Sequence, residues 1–309
     1  MTRPRSGPRK AKPAKRDESR ELSIRDLLRE AVGRLEVAGV PEPRLEAEVL
    51  MRYVTGWDRA RLFLVMRDPV TDPEMIQCFQ DCVALRAEGC PTAYVTGERE
   101  FWSMNFEVDR RVLIPRPETE ILVEVALDRT KEVLEGRDSA VFRAADVGTG
   151  SGCIACAFAK ERPGWRITAT DRSADALELA GSNAKRLGLE GRIEFIACDL
   201  LEEAAGPFDL IASNPPYVAD GEALPREVAD WEPHGALFAG PTGYEAIDRL
   251  LAAAPGRLAD GGAMALEVGL GQSGRVLKSV LALGSWADAG VTRDFAGIER
   301  VVWARGWRK

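Results

Sequence analysis

A chain of 309 residues has room for about two domains. Hydrophobic residues make up 45 % and charged residues 29 %, an ordinary globular balance, and no apolar run reaches the roughly 18–20 residues of a membrane-spanning helix. Six cysteines are too few for a disulfide-built scaffold. A lone histidine, His234, excludes a His-rich metal site and any chemistry that needs two histidines, so no metal is expected.

The net charge of −7 conceals an asymmetry: residues 1–20 carry +6 and the remaining 289 carry −13. The basic segment holds Pro4, Pro8 and Pro13 and almost nothing apolar. It buries too little surface to offset its ordering entropy and reads as a disordered tail, with an RNA-touching arm as the alternative. Its prolines argue against an amphipathic targeting helix, and no secretory signal is read. Free cysteines in a reducing cytoplasm are therefore expected. An acidic body speaks against a broad nucleic-acid clamp, which depends on clustered Lys and Arg.

From Ser23 the pattern turns helical. Ile24, Leu27, Leu28, Ala31 and Leu35 recur near a 3.6-residue period, and Ser23 with Asp26 forms a capping-box start. Pro41 and Pro43 interrupt the chain; Ala47, Leu50, Met51 and Val54 then make a second stripe, followed by a short helical piece over 59–66. Asp72-Pro73 starts another helix, with Ile76, Phe79 and Val83 as its core face and Gly89 at its end. Residues 21–89 thus read as a small helical domain.

Residues 90–117 have the texture of a β-hairpin linker. Short strands are expected at Tyr94–Gly97, Phe101-Trp102, Phe106–Val108 and Val112–Ile114, with Pro115 and Pro117 ending the segment and a helix from Glu118 to Leu134. Residues 118–309 form the remaining domain. From about residue 141 strands alternate with helices: strands are expected at 141–147, 166–170, 192–197, 208–213, 263–268 and 301–305. That spacing implies parallel βαβ units and an α/β, doubly wound, mostly parallel sheet.

The first of these strands runs into Gly148-Thr149-Gly150-Ser151-Gly152, and an apolar helix follows from Cys153. Three glycines let the backbone turn sharply and approach a ligand, while the helix start presents free N–H groups. The pattern differs from the dinucleotide fingerprint, and by itself fits an ordinary tight turn equally well. Asp171 ends the second strand, where a carboxylate can accept both ribose hydroxyl protons. Asp199-Leu200 ends the third, placed to take an adenine amine and pack its ring. Each acid alone could simply cap the next helix. Three successive strand ends on one sheet edge point to an adenosine-containing ligand.

The fourth strand runs straight into Asn214-Pro215-Pro216-Tyr217. Two prolines fix φ and remove two donors, leaving a rigid corner with one amide side chain, two carbonyls and one aromatic face. Such a corner suits methyl transfer to a planar NH2, whose delocalised lone pair makes it a poor nucleophile. If the Asn214 side-chain oxygen and the Pro215 carbonyl each accept one N–H, the lone pair can face a methyl donor and the growing positive charge is stabilised. Tyr217 would pack against the flat acceptor. Asn214, Pro215 and Tyr217 are the catalytic candidates, and Asn214 to Tyr217 the substrate-binding ones.

These motifs resemble the S-adenosylmethionine-dependent amino-methyltransferases of the Rossmann-like class I fold. Further strings narrow the resemblance to the HemK/PrmC family: Gly89 to Gly97, Val112-Leu113-Ile114-Pro115-Arg116-Pro117-Glu118-Thr119-Glu120, Trp231 to Gly240, and Asp294 to Arg300. It covers about residues 22–305; Trp231 stands where tyrosine is more usual, and the basic tail lies outside the pattern. The resemblance implies that Gly148, Thr149, Gly150, Ser151, Gly152, Asp171, Asp199, Leu200 and Asn214 bind S-adenosylmethionine. It implies that Asn214, Pro215, Pro216 and Tyr217 hold the glutamine of the Gly-Gly-Gln motif of class 1 peptide chain release factors, and that the helical domain grips the factor. Arg116 and Glu118 are expected to fix the linker near the site, Phe101 to lie beside the cofactor or in the core, and Glu267 and Gln272 to stand around the site. A cytoplasmic monomer that touches neither membrane nor nucleic acid is expected. The alternatives are an adenine-amine methyltransferase on DNA or RNA, a ribosomal-protein glutamine methyltransferase, and a decayed fold kept as a binding module. Cys153 and Cys156, and Cys78 and Cys82, read as packing residues, and His234 has no role that the chemistry demands.

Overall fold

A computed structural model describes residues 22–131 and 141–308. The basic tail at 1–20 and the expected helix end at 132–134 lie outside the described residues. The chain divides into two compact units, one ending at Glu88 and one beginning at Gly89.

The first unit contains α1 (Ile24–Val37), α2 (Pro43–Thr55), α3 (Arg59–Leu64) and α4 (Pro73–Ala87). Its start signals work as read. The Ser23 hydroxyl accepts from the Asp26 N–H while the Asp26 carboxylate takes the Ser23 N–H, a reciprocal capping box. The Asp72 carboxylate accepts from the Glu74 and Met75 N–H groups, with Pro73 in the first turn. The apolar stripes of α1, α2 and α4 meet in a core of Leu27, Leu35, Leu50, Met51, Phe79 and Val83. Val54 and Ile76 lie half-buried.

In the second unit, α5 (Thr92–Thr96) precedes a hairpin of β1 (Glu98–Phe101) and β2 (Met104–Glu107), and α6 (Thr119–Arg129) follows. Two expected strands are absent here. Tyr94–Gly97 is helical: Pro91 opens the turn, the Thr96 hydroxyl donates back to the Thr92 carbonyl, and Gly97 at φ +74° ends it. The stretch 112–114 is irregular: the Val112 N–H closes a turn on the Asp109 carbonyl, and two further backbone groups bond to side chains. The Tyr94 hydroxyl donates to the Val112 carbonyl at 2.6 Å, and the Ile114 N–H donates to the buried Glu232 carboxylate at 3.2 Å.

The remainder contains β3 (Arg143–Val147), α7 (Cys153–Glu161), β4 (Arg166–Asp171), α8 (Ala174–Arg186), β5 (Ile193–Ala197), β6 (Phe208–Ser213), β7 (Val218–Ala219), α9 (Arg226–Ala229), α10 (His234–Leu237), β8 (Phe238–Gly240), α11 (Glu245–Ala253), β9 (Leu258–Glu267), α12 (Ser273–Ala282), β10 (Asp288–Arg293) and β11 (Glu299–Arg305). A seven-stranded sheet runs β10-β11-β9-β6-β3-β4-β5, parallel from β9 to β5, with β11 antiparallel to both of its neighbours. This is the doubly wound α/β architecture the sequence implies. The edge strand β10 was not foreseen: its residues are half-exposed and form no apolar run.

Alternate strand residues face opposite layers. Ala144, Ile167, Leu210, Ala265 and Trp303 pack with α6, α7, α8 and the hairpin's Phe101 and Phe106. Val147, Ile211, Leu266 and Val302 pack with Ile247, Leu250 and Val276 of α11 and α12. Phe101 is a core residue, 1 % exposed and edge-on to Phe106. The chain leaves β3 outward to β4 and β5, then returns to β6 on the other side of β3. The carboxyl ends of β3 and β6 therefore lie side by side at the switch point, where open α/β sheets bind ligands.

Candidate active site

The glycine loop leaves β3 at this switch point. Gly148, Gly150 and Gly152 all have positive φ, and the Gly148 and Thr149 N–H groups donate to the Thr170 carbonyl of β4. Beneath the loop, the fully buried Asp146 accepts from the Thr149 hydroxyl at 2.6 Å and from the Ala155 N–H of α7 at 3.0 Å, tying loop and helix start together. Its second carboxylate oxygen, Oδ1, is buried without a hydrogen-bond partner among the described residues. Burial pushes its pKa up to about 7, against the pull of the Thr149 and Ala155 bonds. The Ser151 carbonyl accepts from Asn183 of α8.

The Asp171 carboxylate sits at the end of β4. It accepts from the Gly150 N–H at 3.0 Å and the Ser173 N–H at 2.9 Å. It thus fixes the Gly150 peptide of the loop and retains lone pairs for a ligand hydroxyl. Leu200 is held at φ +50°, a left-handed conformation rare outside glycine, and its carbonyl accepts from the Thr170 hydroxyl at 2.7 Å. Asp199 is ion-paired with Arg249 of α11, a partner for which the sequence offers no signal.

These ends open on one cavity of about 340 Å³. Gly148, Gly150, Asp171, Asp199, Leu200, Asn214 and Pro216 line it, together with Val112, Arg172, Gly235 and Ala246. The Arg172 guanidinium donates to the Gly235 carbonyl at 2.9 Å along its rim. Of the residues singled out from sequence, Thr149, Ser151, Gly152, Pro215 and Tyr217 stand behind this lining. Thr149 and Ser151 are buried, the Thr149 hydroxyl on Asp146 and the Ser151 carbonyl on Asn183, and Gly152 packs against Ala180. Tyr217 packs toward Gly269 and the α11–α12 layer, and burial pushes its phenol up to about 12.

Asn214 leaves β6 half-buried, and the Ser213 hydroxyl donates to the Val147 carbonyl at 2.6 Å, clamping the two strand ends. The Asn214 amide Nδ2 donates to the Thr119 hydroxyl at 3.1 Å; that hydroxyl donates to the buried Glu267 carboxylate of β9 at 2.7 Å. Burial raises Glu267 to about 7, opposed by the Thr119 bond and the Arg300 charge. Gln272 closes the corner behind: its amide donates to the Tyr217 carbonyl at 2.9 Å and its Oε1 accepts from the Gly269 N–H. Thr119 was overlooked within its own motif string, where a hydroxyl between two glutamates reads as a helix start. Arg116 pairs with Glu232, whose other oxygen takes the Ile114 N–H, so the linker string is anchored to the 231–240 loop. His234 is exposed and stacked on Phe238.

The residues present fit S-adenosylmethionine. The glycine loop brings backbone to the cavity wall, the Asp171 carboxylate suits ribose hydroxyls, and the half-buried Leu200 offers an apolar contact for a ring.

A family model of the PrmC N-terminal domain matches residues 26–97, and one of the methyltransferase small domain matches residues 125–230. The catalytic domain of hMettl16, solved in complex with the MAT2A 3'UTR hairpin 6, is alike in fold, with a TM-score of 0.54 at 18 % identity over 74 % of this chain and 83 % of that one. The release factor glutamine methyltransferase of Koribacter versatilis is 39 % identical over 288 residues, 92 % of this chain and 99 % of that protein. The release factor glutamine methyltransferase of Chlorobaculum tepidum is 40 % identical over 291 residues, 92 % of this chain and 97 % of that protein. With such identity over nearly its whole length, the chain belongs to the release factor glutamine methyltransferase family.

Proposed function

We propose that this chain transfers a methyl group from S-adenosylmethionine to the side-chain amide nitrogen of the glutamine in the Gly-Gly-Gln motif of class 1 peptide chain release factors. The observation that carries the reading is the juxtaposition at the switch point: the glycine loop and Asp171 on one side of a single cavity, the Asn214 corner on the other. The donor supplies a methyl on a sulfonium, already activated. Gly148, Gly150, Asp171 and Leu200 would hold it, with Asp199 at the cavity mouth beside Arg249 and with Thr149, Ser151 and Gly152 shaping the loop. The Asn214 Oδ1 and the Pro215 carbonyl would each accept one N–H of the glutamine amide. That binding turns the nitrogen lone pair toward the methyl and offsets the positive charge that grows on nitrogen, the kind of preorganised dipole worth roughly 2.7–4 kcal/mol per group. The bound donor would supply its methyl to that nitrogen, the S–C electron pair staying with sulfur and the displaced N–H proton passing to water.

In this reading the helical unit engages the factor and residues 90–117 link it to the catalytic unit. The enzyme works as a cytoplasmic monomer without touching nucleic acid. The acidic body of the chain and its six free thiols support this assignment. No helix of the described residues is long and apolar enough to cross a membrane. The test is label transfer from radiolabelled donor to an unmethylated release factor, to the same factor with Gln→Ala in its Gly-Gly-Gln loop, and to duplex DNA. Label on the intact factor alone, lost with Asn214→Ala, is expected; label on DNA, or on none of the three, overturns the reading.

A further inference from the structure

Asn214 presents one acceptor and one donor at nearly the same place, and only the acceptor suits an incoming NH2. A side-chain amide rotated by half a turn would set donor against donor. Among the described residues, the only hydrogen-bonded partner of the Asn214 side chain is Thr119, and behind Thr119 stands Glu267.

We propose that Thr119 and Glu267 are positioning residues for methyl transfer: the Glu267 carboxylate, acting through the Thr119 hydroxyl, holds the Asn214 amide with Nδ2 turned inward and Oδ1 left to receive the substrate N–H. Proton count sets the orientation. An ionised carboxylate only accepts, so the single Thr119 proton goes to Glu267. Thr119 then has only lone pairs for Asn214, and the group facing it must be the amide NH2. Both bonds are direct, and Thr119 and Glu267 are each 2 % exposed. The inference rests on the glutamine-methylation reading and adds two residues to it, contributed by α6 and β9.

The same logic gives the relay a pH dependence. When Glu267 is protonated it donates to Thr119, Thr119 can donate to Asn214, and the amide is free to turn its oxygen inward. The groups that face Glu267 are Arg300 from β11, Arg116 and Glu118 from the stretch before α6, Tyr217 from the corner and Cys153 from α7. Two cations favour the ionised form, and Glu118 together with burial opposes it. The net effect of burial is to raise the carboxyl to about 7.

The experiment uses the full chain, an unmethylated release factor and three variants. For Thr119→Val, kcat should fall about 10–100-fold while donor affinity and the KM for the factor stay within about threefold; Thr119→Ser should regain activity to within about threefold of wild type. Wild-type kcat should decline below about pH 7, and Glu267→Gln, which accepts the Thr119 proton but does not titrate, should flatten that decline between about pH 6 and 8. A Thr119→Val enzyme within twofold of wild type overturns the relay. So does a loss of donor affinity in Thr119→Val as large as its loss of kcat, or a Glu267→Gln profile with the wild-type acid limb. If Thr119→Val fails to fold, the Thr119→Ser rate and the Glu267→Gln profile decide by the same criteria. Wild type that leaves the factor's glutamine unlabelled overturns the function reading and the relay together; labelling wild type beside a fully active Thr119→Val overturns the relay alone.

Discussion

Gly152 sits at φ +81°, and a Cβ there would lie 3.1 Å from the Ala180 Cβ and 3.3 Å from its Cα. Backbone strain and a tight contact with a helix that cannot yield act together at this one position. Gly152→Ala is therefore expected to destabilise the second unit by about 1–3 kcal/mol and to weaken donor binding, checked by urea unfolding and calorimetric titration. Asp171 carries a different burden. Each carboxylate oxygen already accepts one N–H, from Gly150 or Ser173, so the side chain both holds the loop and faces the cavity. In Asp171→Asn one of those acceptors becomes a donor opposed to an N–H. Donor affinity should drop at least about tenfold by titration, a cost of about 1.4 kcal/mol or more, with little change in secondary structure.

Single residues in the linker matter because whole segments hang on them. Glu232 is 5 % exposed and holds two partners from the 112–118 string, the Arg116 guanidinium and the Ile114 N–H. Removing the cation strands a buried carboxylate, which typically costs about 3–5 kcal/mol, whereas removing both charges costs less. Arg116→Ala should lower the stability of the second unit by about that much, and Arg116→Ala with Glu232→Gln should recover part of it. A double-mutant cycle on the unfolding free energies measures the coupling, and additive losses would refute it. The hairpin behaves differently. Its Phe101 and Phe106 lie in the main core with α6 and α7, so β1 and β2 are built into the catalytic unit, while residues 112–116 are held by the Tyr94 and Glu232 side chains and by single turn bonds such as that from the Val112 N–H to the Asp109 carbonyl.

At the scale of the molecule, two buried carboxyls set a pH dependence of stability. Asp146 and Glu267 are both pushed up to about 7 by burial, so between their ordinary values and 7 the folded protein binds more protons than the unfolded chain. Stability should therefore fall as pH rises from about 5 to 7 and level off above. Glu267→Gln should remove on the order of 3 kcal/mol of that slope. Urea unfolding followed by tryptophan fluorescence measures this in the second unit, which contains all the tryptophans except Trp57. A flat or rising profile would refute it. The sequence alone determined whatever rests on near neighbours: the caps at Ser23 and Asp72, the period of the stripes on α1 and α2, the glycine turn after β3 and the proline corner after β6. Each is a matter of local dihedral freedom, of hydrogen bonds within a turn, or of a face that repeats along one element. Alternation of strands and helices also sufficed for the doubly wound sheet, because parallel strands need crossovers. Other features were decided only by tertiary structure. Tyr94–Gly97 has strand-forming residues but closes as a helical turn between Pro91 and Gly97, and Val112–Ile114 bonds to Tyr94 and Glu232 rather than to a strand. The half-exposed β10 is a strand because β11 pairs with it. Asn214 meets Thr119 across 95 residues of chain, and Thr119 meets Glu267 across 148. Nothing in the spacing of a threonine and a glutamate foretells a shared proton; packing of α6 against β9 puts them within reach, and burial then makes their bond the one available.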